Sequence, residues 1–203
     1  MAGAEELGQF QPISLCNVIY KVASKVVANR LKLILPQIIA EEQSAFVPGR
    51  LISDTIIAAY ECLHSMKQKR ASDQRCCALK LDMQKAYCLV EWSYLQMIMH
   101  LVTSVSFSIL LNGDCLEKFK PSRGIHQGDP ISLYLFLLAA EGLSCLMKSQ
   151  IQSSTLNGIM VAPSAPMISH LLFADDSLLF FRESMENAQE INDVLQVYCR
   201  ASG

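Results

Sequence analysis

Apolar residues recur at helical spacing in two stretches of the first third of the chain. The first stretch predicts a buried helix from Asn17 to Leu35, ended by Pro36. Its apolar residues include Val18, Val22, Val26 and Leu33. The second stretch predicts a helix from about Asp54 to Lys69. The residues expected to face inward on this helix are Ile56, Tyr60, Leu63 and Met66.

Later apolar stretches predict three more helices. One runs from Gln84 to about His100, and a long apolar one covers Ile131 to Met147. Because Glu141 and Gly142 interrupt the long one and it is short for a bilayer, we interpret it as a buried helix and expect no membrane span. The last helix follows Glu183. Its expected inward residues are Ala188, Ile191, Leu195 and Tyr198.

Residues with strand composition flank a polar turn near the end of the chain. The runs Leu171 to Phe173 and Leu178 to Phe181 lie on either side of Ala174-Asp175-Asp176-Ser177. Because short Asp and Ser side chains bond nearby backbone, this segment predicts a hairpin tip that projects two adjacent carboxylates. A second hairpin is predicted at Asn112-Gly113-Asp114, between strands in residues 105–111 and 116–120.

Another short strand, Cys76 to Met83, has a single acid, Asp82, near its end. A lone Asp there is more often a helix N-cap. If this strand lies beside the hairpin, however, Asp82 and Asp175 converge from distant parts of the chain. Adjacent carboxylates repel each other, and a hard divalent cation such as Mg²⁺ reverses the sign of that interaction. The pattern therefore predicts a metal site at Asp82, Asp175 and Asp176, with an ordinary solvated turn as the alternative.

Helices and hairpin-connected strands are interspersed without regular alternation, so the predicted fold class is α+β. The polar stretch Ala71 to Gln74 predicts a boundary between residues 1–75 and residues 76–203. A hydrophobic content of 51% argues against disorder. The eight cysteines include no Cys-x-x-Cys pair, and no secretory signal precedes Phe10, so we expect an intracellular, reducing location.

Charge is unevenly distributed along the chain. The formal net charge of −2 is unusual for a complete nucleic-acid enzyme. The first predicted helix nevertheless has no acid and carries four basic residues, Lys21, Lys25, Arg30 and Lys32. Lys21, Lys25 and Lys32 are spaced to share one face, which is suited to following a phosphate backbone. A solvated face of snorkelling lysines is the alternative interpretation.

Five sequence blocks, in order, span about residues 10–203. They are Pro12 to Asn17, Gln43 to Arg50, Leu79 to Met83 with Lys85-Ala86-Tyr87, Arg123-Gly124 with Gln127 to Pro130, and Phe173 to Asp176. Together they resemble the reverse transcriptase of LINE-type (non-LTR) retrotransposons, most closely the plant copies. A lone Asp-Asp turn would be weak support, whereas five ordered blocks are specific.

The resemblance implies a right-hand polymerase, with fingers in residues 1–75 and a palm in residues 76–203 whose small antiparallel sheet packs on helices. It implies an RNA-directed DNA polymerase that adds dNTPs to a DNA primer on an RNA template, in the nucleus or cytoplasm. Asp82, Asp175 and Asp176 would be the catalytic residues. Two Mg²⁺ ions, with Mn²⁺ as an alternative, would bind Asp82 and Asp175, and Asp176 would support them.

The resemblance also implies nucleotide-binding residues. The ring of Tyr87 would lie under the incoming sugar and exclude a 2′-OH. Gln127 and Gly128 would lie against the nascent base pair, since glycine permits close backbone approach. Arg50 would contact phosphate, with an ordinary surface arginine as the alternative.

Several positions depart from the family pattern. Gln11 stands where the family has an arginine that clamps the triphosphate, Cys88 replaces an Asp, and Leu133 replaces a Pro. Residues 92–105 are too few for a helical segment found in the family. The chain also ends at Gly203, before the lysine-bearing segment and the thumb. We therefore expect a truncated fragment that is weakly active or inactive alone.

Two other functions remain open at this point. One is a catalytically inactive remnant that at most binds nucleic acid through the Lys21 to Lys32 helix. The other is a different template-dependent polymerase, such as a group II intron maturase or a viral RNA polymerase. Tyr87 argues against an RNA-making enzyme, because the ribose 2′-OH needs room. The oligomeric state is not predicted by any of these patterns.

Overall fold

A computed structural model describes residues 18–68, 75–82, 108, 110–111, 114–115, 117 and 128–202. These residues form helices and small antiparallel sheets, which confirms the predicted α+β class. The helices are α1 (Val18–Ile38), α2 (Ile52–Gln68), α3 (Ser132–Gln152) and α4 (Met185–Ser202). The strands are β1 (Cys76–Asp82), β2 (Leu110–Leu111), β3 (Asp114–Cys115), β4 (His170–Phe173) and β5 (Asp176–Arg182).

The main sheet has the order β1-β5-β4, and both pairs are antiparallel. Its central strand, β5, is covered on both faces. Leu179 and Phe181 lie in a core cluster with residues of α3 and α4, whereas Phe180 packs in a cluster with Cys62 of α2. A strand buried on both sides needs a continuous apolar run rather than alternation, which explains the sequence Leu178 to Phe181.

The smaller sheet is the predicted second hairpin. Leu110 pairs with Cys115 and Leu111 pairs with Asp114, so two residues connect the strands. This arrangement confirms the predicted pairing but places Asp114 in a strand rather than in the turn. Ser108 and Glu117, which the predicted strands included, are described and lie in no strand. The other residues of those predicted strands, and the predicted helix from Gln84 to His100, lie outside the described residues.

The prediction of a buried first helix is wrong for the apolar residues on which it rested. Val18, Val22, Val26 and Leu33 are all exposed, and the buried residues of this helix are Ser24, Ala28 and Leu35. The hydroxyl of Ser24 donates to Asp129, in the segment that leads into α3. The helix also continues beyond its predicted end, with Pro36 inside its last turn.

The predicted inward face of α2 is also largely wrong. Ile56, Tyr60 and Leu63 are exposed, whereas Cys62 and Ser65 are buried and Met66 is partly buried. Cys62 lies in the same cluster as the fully buried ring of Phe180. The narrow side chain of Cys62 leaves room for that ring, so a small residue occupies the position where the pattern favoured a large one.

The predicted burial of α3 is confirmed. Fully buried side chains along it include Leu135, Phe136, Leu137, Leu143 and Met147. Among the described helices, α3 is the one long and apolar enough to cross a membrane, but half of that window is buried within the protein. Its length and composition are therefore weak evidence for a membrane span.

The last helix, α4, follows the prediction at three positions. Ile191 and Tyr198 are buried and Leu195 packs against the same cluster, whereas Ala188 is exposed. The buried neighbour at the start of this helix is Asn187 instead. The sheet and α3 thus hold α4 against the strand that begins at Asp176.

Candidate active site

The turn between β4 and β5 contains only Ala174 and Asp175, because Phe173 pairs with Asp176. This turn confirms the predicted hairpin. Ala174 has a φ of 53°, a left-handed conformation that residues other than glycine rarely adopt. Such a conformation costs on the order of 1 kcal/mol and persists where neighbouring groups hold it. Asp175 and Asp176 are both exposed at this tip.

Strand β1 runs beside the hairpin and brings its terminal acid to the same end of the sheet. The register runs from Cys76 opposite Arg182 to Asp82 opposite Asp176. This pairing confirms the prediction that Asp82 and the Asp175-Asp176 turn converge from distant parts of the chain. Residues directly opposite each other in an antiparallel pair have Cβ atoms about 5 Å apart.

One of the two carboxylates at the hairpin tip has a cationic partner. The Nζ atom of Lys80 lies 3.0 Å from Oδ1 of Asp176, and both side chains are more than half exposed. This ion pair was not predicted from the sequence. The sequence does contain a signal for it. Lys80 stands two residues before Asp82, and positions two residues apart on a strand lie on the same face of the sheet.

The three aspartates fit a hard divalent cation by the chemistry of their donors. Carboxylate oxygens are the preferred ligands of Mg²⁺, and exposure at the tip leaves Asp175 and Asp176 open to ions from solvent. The backbone of Asp82 lies in register with Asp176, and its side chain is outside the described part of the structure. Among the described side chains, no group of three or more His, Cys, Asp or Glu residues is placed to hold a metal ion.

The loop after α1 docks against the outer edge of β4. The amide N–H of Leu172 donates to the carbonyl of Glu42 at 2.8 Å, and the N–H of Ser44 donates to the carbonyl of Leu172 at 3.2 Å. Between them lies Gln43, which is 1% exposed. Its Oε1 atom accepts the N–H of Ala174 at 3.2 Å. A residue far away in sequence therefore bonds the turn that carries Asp175.

Arg50 stabilises this loop by hydrogen bonds to its backbone. Its guanidinium donates to the carbonyls of Ile39 at 2.7 Å, Ala40 at 2.5 Å and Gln43 at 2.6 Å. Three backbone acceptors near the end of α1 thus share one planar cation, a geometry that an ammonium group cannot reproduce. These contacts support a structural role for Arg50, and its predicted contact with nucleotide phosphate remains a prediction.

Gly128 and Asp129 lie in the segment just before α3. Gly128 is exposed and has a φ of 97°, which favours glycine. Asp129 is buried, and its carboxylate accepts the hydroxyl of Tyr20 at 2.5 Å and the hydroxyl of Ser24. This connection between α1 and α3 was missed, although Tyr20 and Ser24 are polar groups one helical turn apart. The predicted site residues Tyr87 and Gln127 lie outside the described residues.

A buried histidine lies on the same strand pair, farther from the tip. The imidazole of His170 is 0% exposed, with Nδ1 2.8 Å from the hydroxyl of Ser169 and Nε2 3.0 Å from the hydroxyl of Ser144. Burial lowers the pKa of His170 from 6.5 to about 4, while nearby Glu42 opposes that shift and Lys148 adds to it. The ring therefore stays neutral at physiological pH and serves the core.

Glu42 and Lys148 form an ion pair beside this histidine, with Nζ 2.8 Å from Oε2. Burial acts to raise the pKa of Glu42, but the hydrogen bond from Lys148 and further interactions leave it below its usual value. The loop that carries Gln43 is thus fixed to α3 by charge as well as to β4 by backbone hydrogen bonds.

A cleft of about 300 Å³ opens beside Asp176. One wall is the start of α2, with Ile52, Thr55 and Ile56, and the other is the sheet with Lys80 and Asp176 among its lining residues. This volume is at the lower end of the range of small-ligand sites. On α1, the four predicted phosphate-contacting residues Lys21, Lys25, Arg30 and Lys32 are all exposed.

Residues 3–203 match the family model described as "Reverse transcriptase (RNA-dependent DNA polymerase)". The chain is 29% identical over 201 residues to the "Transposon TX1 uncharacterized 149 kDa protein" of Xenopus laevis, covering 91% of this chain and 15% of that protein. It is 47% identical over 68 residues to an uncharacterized mitochondrial protein of Arabidopsis thaliana, covering 34% of this chain and 56% of that protein.

A third relative is the "Retrovirus-related Pol polyprotein from type-1 retrotransposable element R2" of Popillia japonica. The chain is 24% identical to it over 206 residues, which cover 94% of this chain and 26% of that polyprotein. The chain thus spans less than two thirds of the length of each of these three relatives. Because the family model matches nearly every residue, the chain belongs to the reverse transcriptase (RNA-dependent DNA polymerase) family, and the resemblance to non-LTR retrotransposon members is confirmed.

Proposed function

We propose that this chain is the aspartate-bearing core of an RNA-directed DNA polymerase of a non-LTR retrotransposon. It would add dNTPs to the 3′-OH of a DNA primer on an RNA template. The observation that carries the proposal is the register of β1 and β5, which brings Asp82 opposite Asp176 and next to the turn at Asp175. Family members generally use divalent metal ions and act on nucleic-acid templates and primers.

Asp82 and Asp175 are proposed to hold two Mg²⁺ ions, for which Mn²⁺ can substitute. When bound, these ions supply the charge that lowers the pKa of the primer 3′-OH and neutralises the triphosphate and the leaving pyrophosphate. Asp176 would support the site while paired with Lys80 at 3.0 Å. The ion pair is a reason to assign Asp176 a supporting role, because Lys80 competes with a metal ion for the same oxygen.

The incoming nucleotide would be bound from several parts of the chain. The cleft lined by Asp176 would offer space for part of it next to that carboxylate. Gly128, with its left-handed backbone, would allow the loop with Gln127 to approach the nascent base pair. Tyr87 would exclude a 2′-OH. In this proposal residues 1–75 form fingers and residues 76–203 form a palm, and the protein acts in the nucleus or cytoplasm without a membrane.

Primer extension tests this proposal directly. The parent chain and Asp175→Asn are incubated with a DNA primer on an RNA template, dNTPs and either Mg²⁺ or Mn²⁺. We expect slow, template-directed incorporation by the parent and none by the variant. Asp193→Asn is the control, because Asp193 is exposed on α4, outside the sheet that carries the site, and this variant should match the parent. Equal incorporation by the parent and Asp175→Asn would contradict a catalytic role for the turn.

A second candidate is a non-catalytic remnant that binds nucleic acid. The observation that favours it is the exposure of Lys21, Lys25, Arg30 and Lys32 along α1. Binding of a primer-template duplex without any extension by the parent in Mg²⁺ or Mn²⁺ would support this candidate over the polymerase.

A further inference from the structure

We propose that Gln43 is a positioning residue that holds the Ala174-Asp175 turn in its metal-binding conformation. This inference rests on the proposed function, because it takes Asp82 and Asp175 as the metal ligands. Gln43 comes from the loop after α1, and it reaches the turn across 131 residues of sequence. It would act through the backbone, without contacting the ions.

The side-chain carbonyl of Gln43 accepts two backbone donors. Oε1 lies 3.2 Å from the amide nitrogen of Ala174 and 3.0 Å from that of Ala45. Because both partners are N–H donors, they determine which end of the amide is the oxygen. The residue is 1% exposed, so these bonds are shielded from water and from competition with it.

Ala174 is a residue whose conformation needs support. Its φ of 53° is strained for alanine and would be free of strain for glycine. The bond to Gln43 fixes the amide at the start of this turn, and the next two residues are Asp175 and Asp176. Asp176 is in turn in register with Asp82, so a shift of the turn alters how the carboxylates are placed relative to β1.

Gln43 is itself held on both sides. Its N–H donates to the carbonyl of Ala40 at 3.1 Å, and its carbonyl accepts the guanidinium of Arg50 at 2.6 Å. It also forms a parallel bridge with Leu172 of β4. A rigid main chain is what a positioning side chain requires, because a mobile one could not restrain the turn.

The other end of the Gln43 amide has no partner. Its Nε2 atom is buried and makes no hydrogen bond within the described part of the structure. An unsatisfied buried donor is unfavourable, so packing alone would favour methionine, which has a similar shape and no donor. The oxygen of the amide offsets this cost, because it accepts the N–H groups of Ala174 and Ala45.

Direct metal binding tests this role without relying on catalysis. Mn²⁺ is titrated into the parent and Gln43→Met, and free Mn²⁺ is followed by electron paramagnetic resonance. We expect the variant to bind Mn²⁺ about tenfold more weakly, the lower end of the effect seen when groups behind metal ligands are removed. Thermal unfolding followed by circular dichroism should show a lower unfolding temperature, because the N–H groups of Ala45 and Ala174 lose their acceptor. The control and the rescue below separate this loss of stability from positioning of the turn.

Asn187→Leu is the matched control. Asn187 is also a buried amide, and it bonds the N–H of Asn157 at 3.2 Å and the carbonyl of Arg182 at 3.0 Å, at the opposite end of β5. Its replacement removes buried hydrogen bonds but leaves the turn at Asp175 untouched. We expect a lower unfolding temperature with unchanged Mn²⁺ affinity.

A rescue experiment separates positioning from general stability. Glycine adopts a positive φ without strain, so Ala174→Gly should bind Mn²⁺ at least as tightly as the parent. Adding Gln43→Met to Ala174→Gly should then cost no more than about twofold in affinity, whereas a general loss of packing would cost the same in both backgrounds. This comparison still distinguishes positioning of the turn from a general loss of stability if Gln43→Met alone unfolds more readily.

The outcomes distinguish the two proposals. Parent-like binding by Gln43→Met, with binding lost in Asp175→Asn, would overturn the role of Gln43 and leave the metal site standing. The same would follow if Ala174→Gly failed to rescue. If the parent itself bound no Mn²⁺, the metal site and the role of Gln43 would both be wrong.

Discussion

The Nζ atom of Lys80 lies 3.0 Å from Oδ1 of Asp176, across the pair formed by β1 and β5. The proposed metal site makes a specific prediction about this contact. Lys80→Met keeps the length of the side chain but removes a cation that competes with metal ions. We expect Mn²⁺ to bind about two- to fivefold more tightly, in line with the modest strength of exposed ion pairs.

Calorimetric titration of the Lys80 variant at low and high salt measures this effect. The gain should shrink at high salt, because salt screens charges at the surface. Lys67→Met, an exposed lysine on α2, should bind Mn²⁺ like the parent. Weaker binding by Lys80→Met would show instead that Lys80 orients Asp176 for the metal ion.

His170 predicts how stability depends on pH. Its pKa is lowered from 6.5 to about 4, chiefly by burial. Between pH 6.5 and pH 4 the imidazole of His170 binds a proton in the unfolded chain but stays neutral in the folded chain. The contribution of the neutral imidazole to the free energy of unfolding is therefore fully present above pH 6.5 and is lost as the pH falls toward 4. It amounts to about 3 kcal/mol, on the order of 1.4 kcal/mol per pKa unit.

Denaturant unfolding at pH 7 and pH 4.5 measures this loss. In His170→Gln the fall in stability between the two pH values should be smaller by about 2 kcal/mol or more. His64→Gln is the control, because the side chain of His64 is exposed on α2 and its removal should leave the pH dependence intact. An unchanged fall in His170→Gln would contradict the burial of a neutral imidazole.

Arg50 offers a test between structural and ligand-binding roles. Its guanidinium bonds three backbone carbonyls in the loop that follows α1. Lysine cannot reach three acceptors in that planar arrangement, so Arg50→Lys should lower the free energy of unfolding by about 2 kcal/mol. Arg200→Lys, exposed on α4, should change it little. Unchanged stability of Arg50→Lys, with weaker dNTP binding, would favour the phosphate contact instead.

The exposed basic residues of α1 predict salt-dependent binding of nucleic acid. Replacing Lys21, Lys25 and Lys32 together by glutamine should weaken binding of a labelled RNA-DNA duplex. The slope of log affinity against log salt should fall by about 0.7 to 0.9 for each phosphate that the variant no longer neutralises. The control replaces Lys67, Arg182 and Arg200 by glutamine, since these residues are also exposed but lie outside α1. Equal slopes for both triple variants would leave α1 without a specific role.

The arrangement of the aspartates could be predicted from the sequence because local rules suffice for it. Strand composition around Asp175 and Asp176 predicted the hairpin, and a single acid near the end of a short strand predicted the position of Asp82. The structure confirms the pairing of the two strands. Which carboxylates bind metal stays a prediction, as do the boundary at residues 75–76 and the roles of Tyr87, Gln127 and Gly128.

The faces of α1 and α2 could not be predicted in the same way. Periodicity counts apolar residues, whereas the structure buries small ones, Ser24 and Ala28 on α1 and Cys62 on α2. Ser24 is buried because Asp129 accepts its hydroxyl, a contact between parts of the chain that periodicity does not connect. The bond from Ala174 to Gln43 was missed for the same reason.

The most direct test of the central claim is whether Asp82 and Asp175 form one metal site. Mn²⁺ affinity is measured for the parent, Asp82→Asn, Asp175→Asn and the double variant. If the two residues share ions, each single change should remove most of the affinity, and the double variant should bind no more weakly than the weaker single variant. Parent-like binding by either single variant, or losses that simply add, would contradict a shared site.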